Sequence, residues 1–481
     1  MERLSAEPDL LVLGAGPAGV GAALAGAACG LDTLIVDEAA ESGGQIYRSL
    51  HPGLRLRSGA DLGPDARVGD VQRRWLAENP VRRAFGRRVW SVDAALRVDA
   101  MGRDGPETWR PHALVVATGT TERIVPFPGW TLPGVIGLAA ATILLKSQQV
   151  LPGERTVVAG CGPLLVAVAF NILKAGGNVA AVIDLSGPAD WLAALPGLAL
   201  RPGLALRGLG WARAVRSAGV PTLFRHGIHA VRGAAGALEV EVAPVSAARG
   251  WMTGGTLRRF AADGLVVGHG LTPAIEVTRL LRARHVFRPA WGGWVPECDA
   301  EGRASIPHLY VAGDGAGIAG AVPAYLHGRL AGLAAARDLG QPEAASLRWE
   351  RAALRRALFR SVRAGRAVAA MMALRPGHVA GIPAETVVCR CEDVTRADIE
   401  AAVAAGAREM NQVKAWTRCG MGPCQGRMCG EVVAELVAAH VGGREAAGSF
   451  TGRAPLRPIS LGALTGEFSY SDIPIPQSAP L

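Results

Sequence analysis

Five cysteines crowd one stretch near the C-terminal end, and they carry the most specific chemistry in the sequence. Cys389 and Cys391 lie in Val388-Cys-Arg-Cys-Glu-Asp-Val394. Cys419, Cys424 and Cys429 follow in Thr417-Arg-Cys-Gly-Met-Gly-Pro-Cys-Gln-Gly-Arg-Met-Cys429. Thiols crowded in this way read as metal ligands. A [2Fe–2S] cluster takes four thiolates, so one of the five is left over. Four thiolates also suit tetrahedral zinc, although zinc pairs are more often spaced C-x-x-C. Gly420, Gly422 and Gly426 free the loop to curl around a cluster and to point amides at its sulfurs. Cys29, Cys161 and Cys298 are scattered, and read as small core side chains.

A second constellation lies at the other end of the chain. Gly14-Ala-Gly16-Pro-Ala-Gly19 follows the apolar run Leu10–Leu13, and Asp37 ends the next apolar run. This order gives glycines for a tight turn, for backbone approach to a pyrophosphate and for helix–strand packing, and then a carboxylate for ribose hydroxyls. The helix that follows the turn presents free amides to the diphosphate. Three later segments select FAD as the dinucleotide. Gly44 and Gln45 sit in a glycine pair soon after the acid, Gly119 ends the run Ala113–Val116, and Gly313-Asp314 ends Leu309–Ala312. A carboxylate at Asp314 is placed to accept a bond from a ribityl chain.

A comparable unit recurs at Gly160-Cys-Gly162-Pro-Leu-Leu165, with Asp184 ending the following strand. Leu165 replaces the third glycine, which serves packing more than phosphate contact. Asp184 would favour NAD over NADP. The competing reading is a domain that keeps this shape without using a nicotinamide nucleotide. No cysteine partners Cys161 nearby, which argues against disulfide-reductase chemistry. His226, His229, His269, His285 and His327 show neither metal spacing nor triad context, and read as packing or surface residues.

The elements that must position these groups form an α/β chain with two nucleotide-binding folds. The expected layout is an FAD-binding domain at 1–130 and 265–340 and an inserted NAD(P)-binding-like domain at 131–264. A helical linker follows at 341–383, then a small helical cysteine domain at 384–441 and an extended Pro- and Gly-rich tail at 442–481. Helices are expected at Arg396–Ala405 and Glu431–His440, after each cysteine group.

The formal charge is +10, but it comes from scattered arginines; lysine occurs only at Lys146, Lys174 and Lys414. No run interleaves aromatics with basic residues, so no nucleic-acid partner is expected. No apolar run approaches the roughly 20 residues of a membrane span, and the opening residues lack an apolar signal core. The expected location is the cytoplasm, either free or at the periphery of the inner membrane.

Residues 9–340 resemble the glutathione-reductase-like flavoproteins with two dinucleotide folds, in which the N-terminal fingerprint and the late Gly-Asp share one FAD. The cysteine segment resembles the bacterioferritin-associated-ferredoxin-like [2Fe–2S] domain. That resemblance assigns Cys389, Cys391, Cys424 and Cys429 as ligands and leaves Cys419 spare. Gly43-Gly-Gln-Ile-Tyr-Arg48 and Thr417 to Arg427 make the whole chain similar to the α (A) subunits of heteromeric opine oxidases and proline or hydroxyproline dehydrogenases, and to the B subunit of hydrogen cyanide synthase. The resemblance implies an electron-transfer subunit of an amino- or imino-acid dehydrogenase acting on CH–NH substrates. Its partners would be a glycine-oxidase-like FAD-dependent catalytic subunit, together with a small third subunit. Two alternatives stand beside it: a self-sufficient NAD(P)H-dependent flavin/iron–sulfur reductase, and a non-enzymatic scaffold.

Overall fold

The apolar runs without polar alternation become strands buried on both faces, as a parallel sheet covered by helices requires. The computed structural model describes residues 7–51, 53–55, 63–246, 250–251, 255–342 and 345–465. Leu10–Leu13 is buried along its whole length at the centre of a five-stranded sheet. The order across the sheet is Leu309–Val311, Ala113–Val116, Leu10–Leu13, Thr33–Asp37, Val81–Phe85, and every pairing is parallel. The helix Pro17–Ala28 is buried almost all round because the helix Ala321–Asp338 crosses it closely. Small residues make that crossing possible: a Cβ on Gly328 would overlap the Ala18 carbonyl oxygen, and one on Gly21 would lie 2.5 Å from the Tyr325 oxygen.

The second nucleotide fold repeats the plan. Its parallel sheet runs Thr222–Phe224, Asn178–Asp184, Arg155–Gly160, Gly264–Gly268, Val135–Gly137. The strand Gly264–Gly268 belongs wholly to this sheet, so the inserted unit extends past the expected boundary at 264. The two chain crossings between the units, Thr120–Glu122 and Leu271–Pro273, pair antiparallel. The linker contains one 27-residue helix, Ala345–Met371, packed on Pro188–Leu198 and Ala321–Asp338.

In the cysteine segment Thr395 caps the helix Arg396–Ala404: its hydroxyl accepts from the Asp398 amide, and the Asp398 carboxylate accepts from the Thr395 amide. A third helix, which the sequence does not announce, spans Met410–Thr417 and is capped by the Glu409 carboxylate. Gly430–Val441 begins directly after Cys429 and stops at Gly442 in the left-handed region. Among the described residues no helix is long and apolar enough to cross a membrane.

Candidate flavin site and thiolate centre

The first glycine turn has the features a diphosphate needs. Gly14 sits at φ +103°, and a Cβ there would lie 2.5 Å from the Ala117 carbonyl oxygen. Gly16 caps the helix Pro17–Ala28 without any side-chain partner, so its first-turn amides remain available. Gly44 (φ +58°) packs its backbone on Gly16, and a side chain there would stand 2.8 Å from the Gly16 Cα. Asp37 closes the turn: its two oxygens accept from the amides of Ala15 at 2.5 Å and Ala39 at 2.7 Å. Each carboxylate oxygen keeps a further lone pair for a ribose hydroxyl. Gly119 (φ +72°) and the loop at Gly313 (φ +75°) bracket the same sheet edge, and a Cβ on Gly313 would press the Ala18 side chain at 2.6 Å. Asp314 accepts from the amides of Ala319 and Gly320, both at 2.9 Å, and burial raises its pKa. Gln45 is exposed and accepts from Arg48. These residues fit an extended dinucleotide laid from Asp37 across the turn to Asp314.

His327, which reads as a packing residue in the sequence, has a more definite role. Its Nδ1 accepts from the Gly313 amide at 3.3 Å, and burial pushes its pKa down to about 4. It is therefore a neutral acceptor supporting the Gly313-Asp314 loop. It lies within the helix Ala321–Asp338, close enough after the Gly-Asp segment for the sequence to place it near that loop, though not to assign the bond.

The second turn is built alike but covered. Gly160 and Gly162 have φ +140° and +84°. The face of Gly162 that a phosphate would approach is taken by Met372, whose Cγ lies 2.7 Å from where a Cβ would stand. Cys161, Leu185, Val245 and Met372 form one small core with Val368. Asp184 is 2% exposed and accepts from the amides of Ser186 at 2.8 Å and Gly162 at 3.3 Å. Burial, the largest cause, raises its pKa to about 6. Arg375 pairs with Asp190 at 3.0 Å and fastens the end of the linker over this cleft. As arranged, these residues do not fit a dinucleotide until Met372 moves. Cys161 is a buried thiol pushed up to about 12, as inert packing requires.

All five C-terminal cysteines converge. The sulfurs of Cys389, Cys419 and Cys429 are buried and lie within 4.8 Å of one another. Cys391 and Cys424 form a more exposed pair at 3.8 Å. Of the four cysteines expected as ligands, Cys389 and Cys429 thus lie with Cys419, expected to stand apart, while Cys391 and Cys424 form the second group. Gly422 lets the loop pass directly over the Cys391 Cβ. Cys389 accepts from its two buried neighbours, which pull its pKa down to about 2, while Cys419 and Cys429 are pushed up. A metal supplies the positive charge that would let all of them ionise. The donor set and its spacing fit a thiolate-held cluster.

Arg427 docks this centre onto the first domain. It donates to the Glu276 carboxylate at 2.5 Å, the Cys424 carbonyl at 3.0 Å and the Leu456 carbonyl at 2.6 Å. Arg418 remains exposed on Glu392. From the tail, Phe450 lies over Gly420 and Gly426, Leu456 enters the first domain's core, and the Leu456 amide donates to the Trp90 carbonyl. The indole of Trp130, a few residues after the first crossing strand, donates to the Val387 carbonyl at 2.7 Å.

Comparison with known proteins agrees with this architecture. Residues 8–331 match the family model of pyridine nucleotide-disulphide oxidoreductases, and residues 384–467 match the sarcosine oxidase A3 domain. The chain belongs to the pyridine nucleotide-disulphide oxidoreductase family of flavoproteins. Within it the chain groups with the opine oxidase A subunits. It is 36% identical over 467 residues to the opine oxidase protein of that type from Rhizobium meliloti (strain 1021), covering 94% of this chain and 97% of that one. It is 34% identical to hydrogen cyanide synthase subunit HcnB of Pseudomonas aeruginosa, again covering 94% and 97%. The crystal structure of L-proline dehydrogenase from P. horikoshii shares the fold with a TM-score of 0.68 at 18% identity, over 95% of this chain and 79% of that one.

Proposed function

We propose that the chain is the electron-transfer subunit of a heteromeric FAD-dependent amino- or imino-acid dehydrogenase of the opine, proline or hydroxyproline type. The observation that carries this reading is a set of five converging thiols docked on the domain crossing of a flavoprotein. FAD exchanges electrons in pairs or singly, and a [2Fe–2S] cluster carries one at a time. The chain's own residues bind and hold. Asp37, the Gly14–Gly19 turn and Asp314 seat the dinucleotide, the cysteines hold the cluster, and Arg427 fixes Cys424 against the flavin domain. Relatives that are named subunits support an assembly with other chains; in this reading those chains are a catalytic flavoprotein subunit and a small third subunit. The chemistry suits the cytoplasm, where thiols stay reduced.

The reductase alternative would take electrons from NAD(P)H at the second fold. The cover of Met372 over Gly162 counts against it. Anaerobic titration of the isolated chain and of the co-expressed complex separates the readings. The complex should lose flavin and cluster absorbance on addition of an imino acid, with the isolated chain unresponsive to NADH. Rapid bleaching of the isolated chain by NADH would reverse the assignment. Cys391→Ser and Cys424→Ser should each abolish bound iron and the paramagnetic signal of the reduced state. Retention of both signals in both variants would rule out the cluster.

A further inference from the structure

Five thiols surround a centre that needs four, and they are unequally divided. Two thiolates bound about 2.3 Å from one tetrahedral metal stand roughly 3.8 Å apart. Cys391 and Cys424 meet that spacing at 3.8 Å, and Cys419 and Cys429 meet it at 3.9 Å. Cys389 lies within 4.8 Å of both members of the second pair. The outer metal position therefore has two thiols. The inner position has three thiols for two places. Cys419 is fully buried, and its backbone is pinned on both sides: the amide donates to the Thr417 hydroxyl at 3.1 Å, and Gly420 turns the chain at φ +83°. Arg418 before it also adopts the left-handed region, at φ +63°. Left-turning residues on either side of one cysteine aim its sulfur at the other thiols, where a filler side chain would need no such aim.

We propose that Cys419 is a ligand of the inner iron, exchanging with Cys389, so that three thiols serve two coordination places. This rests on the iron–sulfur reading above. In the exchange the iron–sulfur bond to Cys389 breaks as the bond to Cys419 forms. The proton leaving the Cys419 thiol passes to the released Cys389 sulfur, which lies within 4.8 Å of it. Charge and oxidation state of the cluster are unchanged. The outer pair has no such reserve among the described residues, and its place near solvent makes it the side for electron exit.

The test uses the full chain purified anaerobically, as Cys419→Ala, Cys389→Ala, the double variant, and Cys391→Ala as a control. Iron, labile sulfide and the reduced-state paramagnetic spectrum are read, with flavin content as a check on folding. Each inner single variant should keep its iron but show a spectrum differing from the parent. The double variant should lose iron by about ten-fold or more, as should Cys391→Ala. The proposal is overturned if Cys389→Ala alone empties the site while Cys419→Ala keeps the parent's iron and spectrum. Cys419→Ser distinguishes loss of a ligand from loss of packing, since a repacking effect would be largely relieved by the near-isosteric hydroxyl. A parent chain without iron would instead remove the cluster reading itself.

Discussion

Asp184 shows how a residue chosen by motif can serve another end. It occupies the ribose-acid position of the second fold, yet its carboxylate is enclosed and holds the amides of Gly162 and Ser186. Its pKa in the folded chain, about 6, exceeds the ordinary 3.8. The stability this group lends is therefore complete below pH 4 and is lost as pH rises through 6. Asp184→Asn keeps an acceptor for both amides and carries no charge. It should match the parent at pH 4 and exceed it at pH 8 by up to about 3 kcal/mol, judged from roughly two units at 1.36 kcal/mol each. Urea unfolding at the two pH values measures the difference. An Asn variant no more stable at pH 8 would mean the carboxylate finds water or a cation there.

At the scale of elements, much is readable because the signals are local. Leu10–Leu13, Leu34–Val36 and Val179–Ile183 are uninterrupted apolar runs, and both glycine turns stand where a strand must hand over to a helix. The Thr395–Asp398 capping box likewise announces its helix. What is not readable depends on contacts distant in sequence. Met372 reaches Gly162 from the far end of the linker helix, and Cys419 turns inward only through backbone angles at Arg418 and Gly420. Met410–Thr417 is short, and its cap is a glutamate, outside the usual Ser, Thr, Asp and Asn set. The tail reads as an extended arm; its described part gains purpose from Phe450, which roofs the glycine loop of the thiolate centre. Phe450→Ala should leave flavin content unchanged while the cluster's visible absorbance decays several-fold faster in air. Equal decay rates would show that the ring does not shield the centre.

For the whole molecule, Arg123 is the point where the parts meet. It directly follows the first crossing strand, is 3% exposed, and donates to the carbonyls of Met372 at 3.1 Å and Gly292 at 2.7 Å. Its guanidinium also faces Glu431, 3.8 Å away on the helix that follows Cys429. Arg444 holds that same glutamate at 2.9 Å and Glu435 at 3.2 Å. One cation thus touches the linker, the first domain and the cysteine domain. Arg123→Met would leave two buried carbonyls and part of a buried carboxylate unmatched, at a cost of about 3–5 kcal/mol. Thermal unfolding should then split, with the cysteine domain melting before the flavin domain. A single transition with an unchanged midpoint would argue against this junction as the main tie.

Leu456 lies in the same buried cluster as Leu11, Leu34 and Leu114, which are laid down far earlier in the chain. Strand Leu309–Val311 must also arrive before the first sheet is whole. During synthesis, then, the flavin domain stays unfinished until Leu456 has left the ribosome. Firm dinucleotide capture should accordingly wait for that segment, and ribosome-stalled chains ending before Leu456 should hold FAD more weakly than chains extending past it.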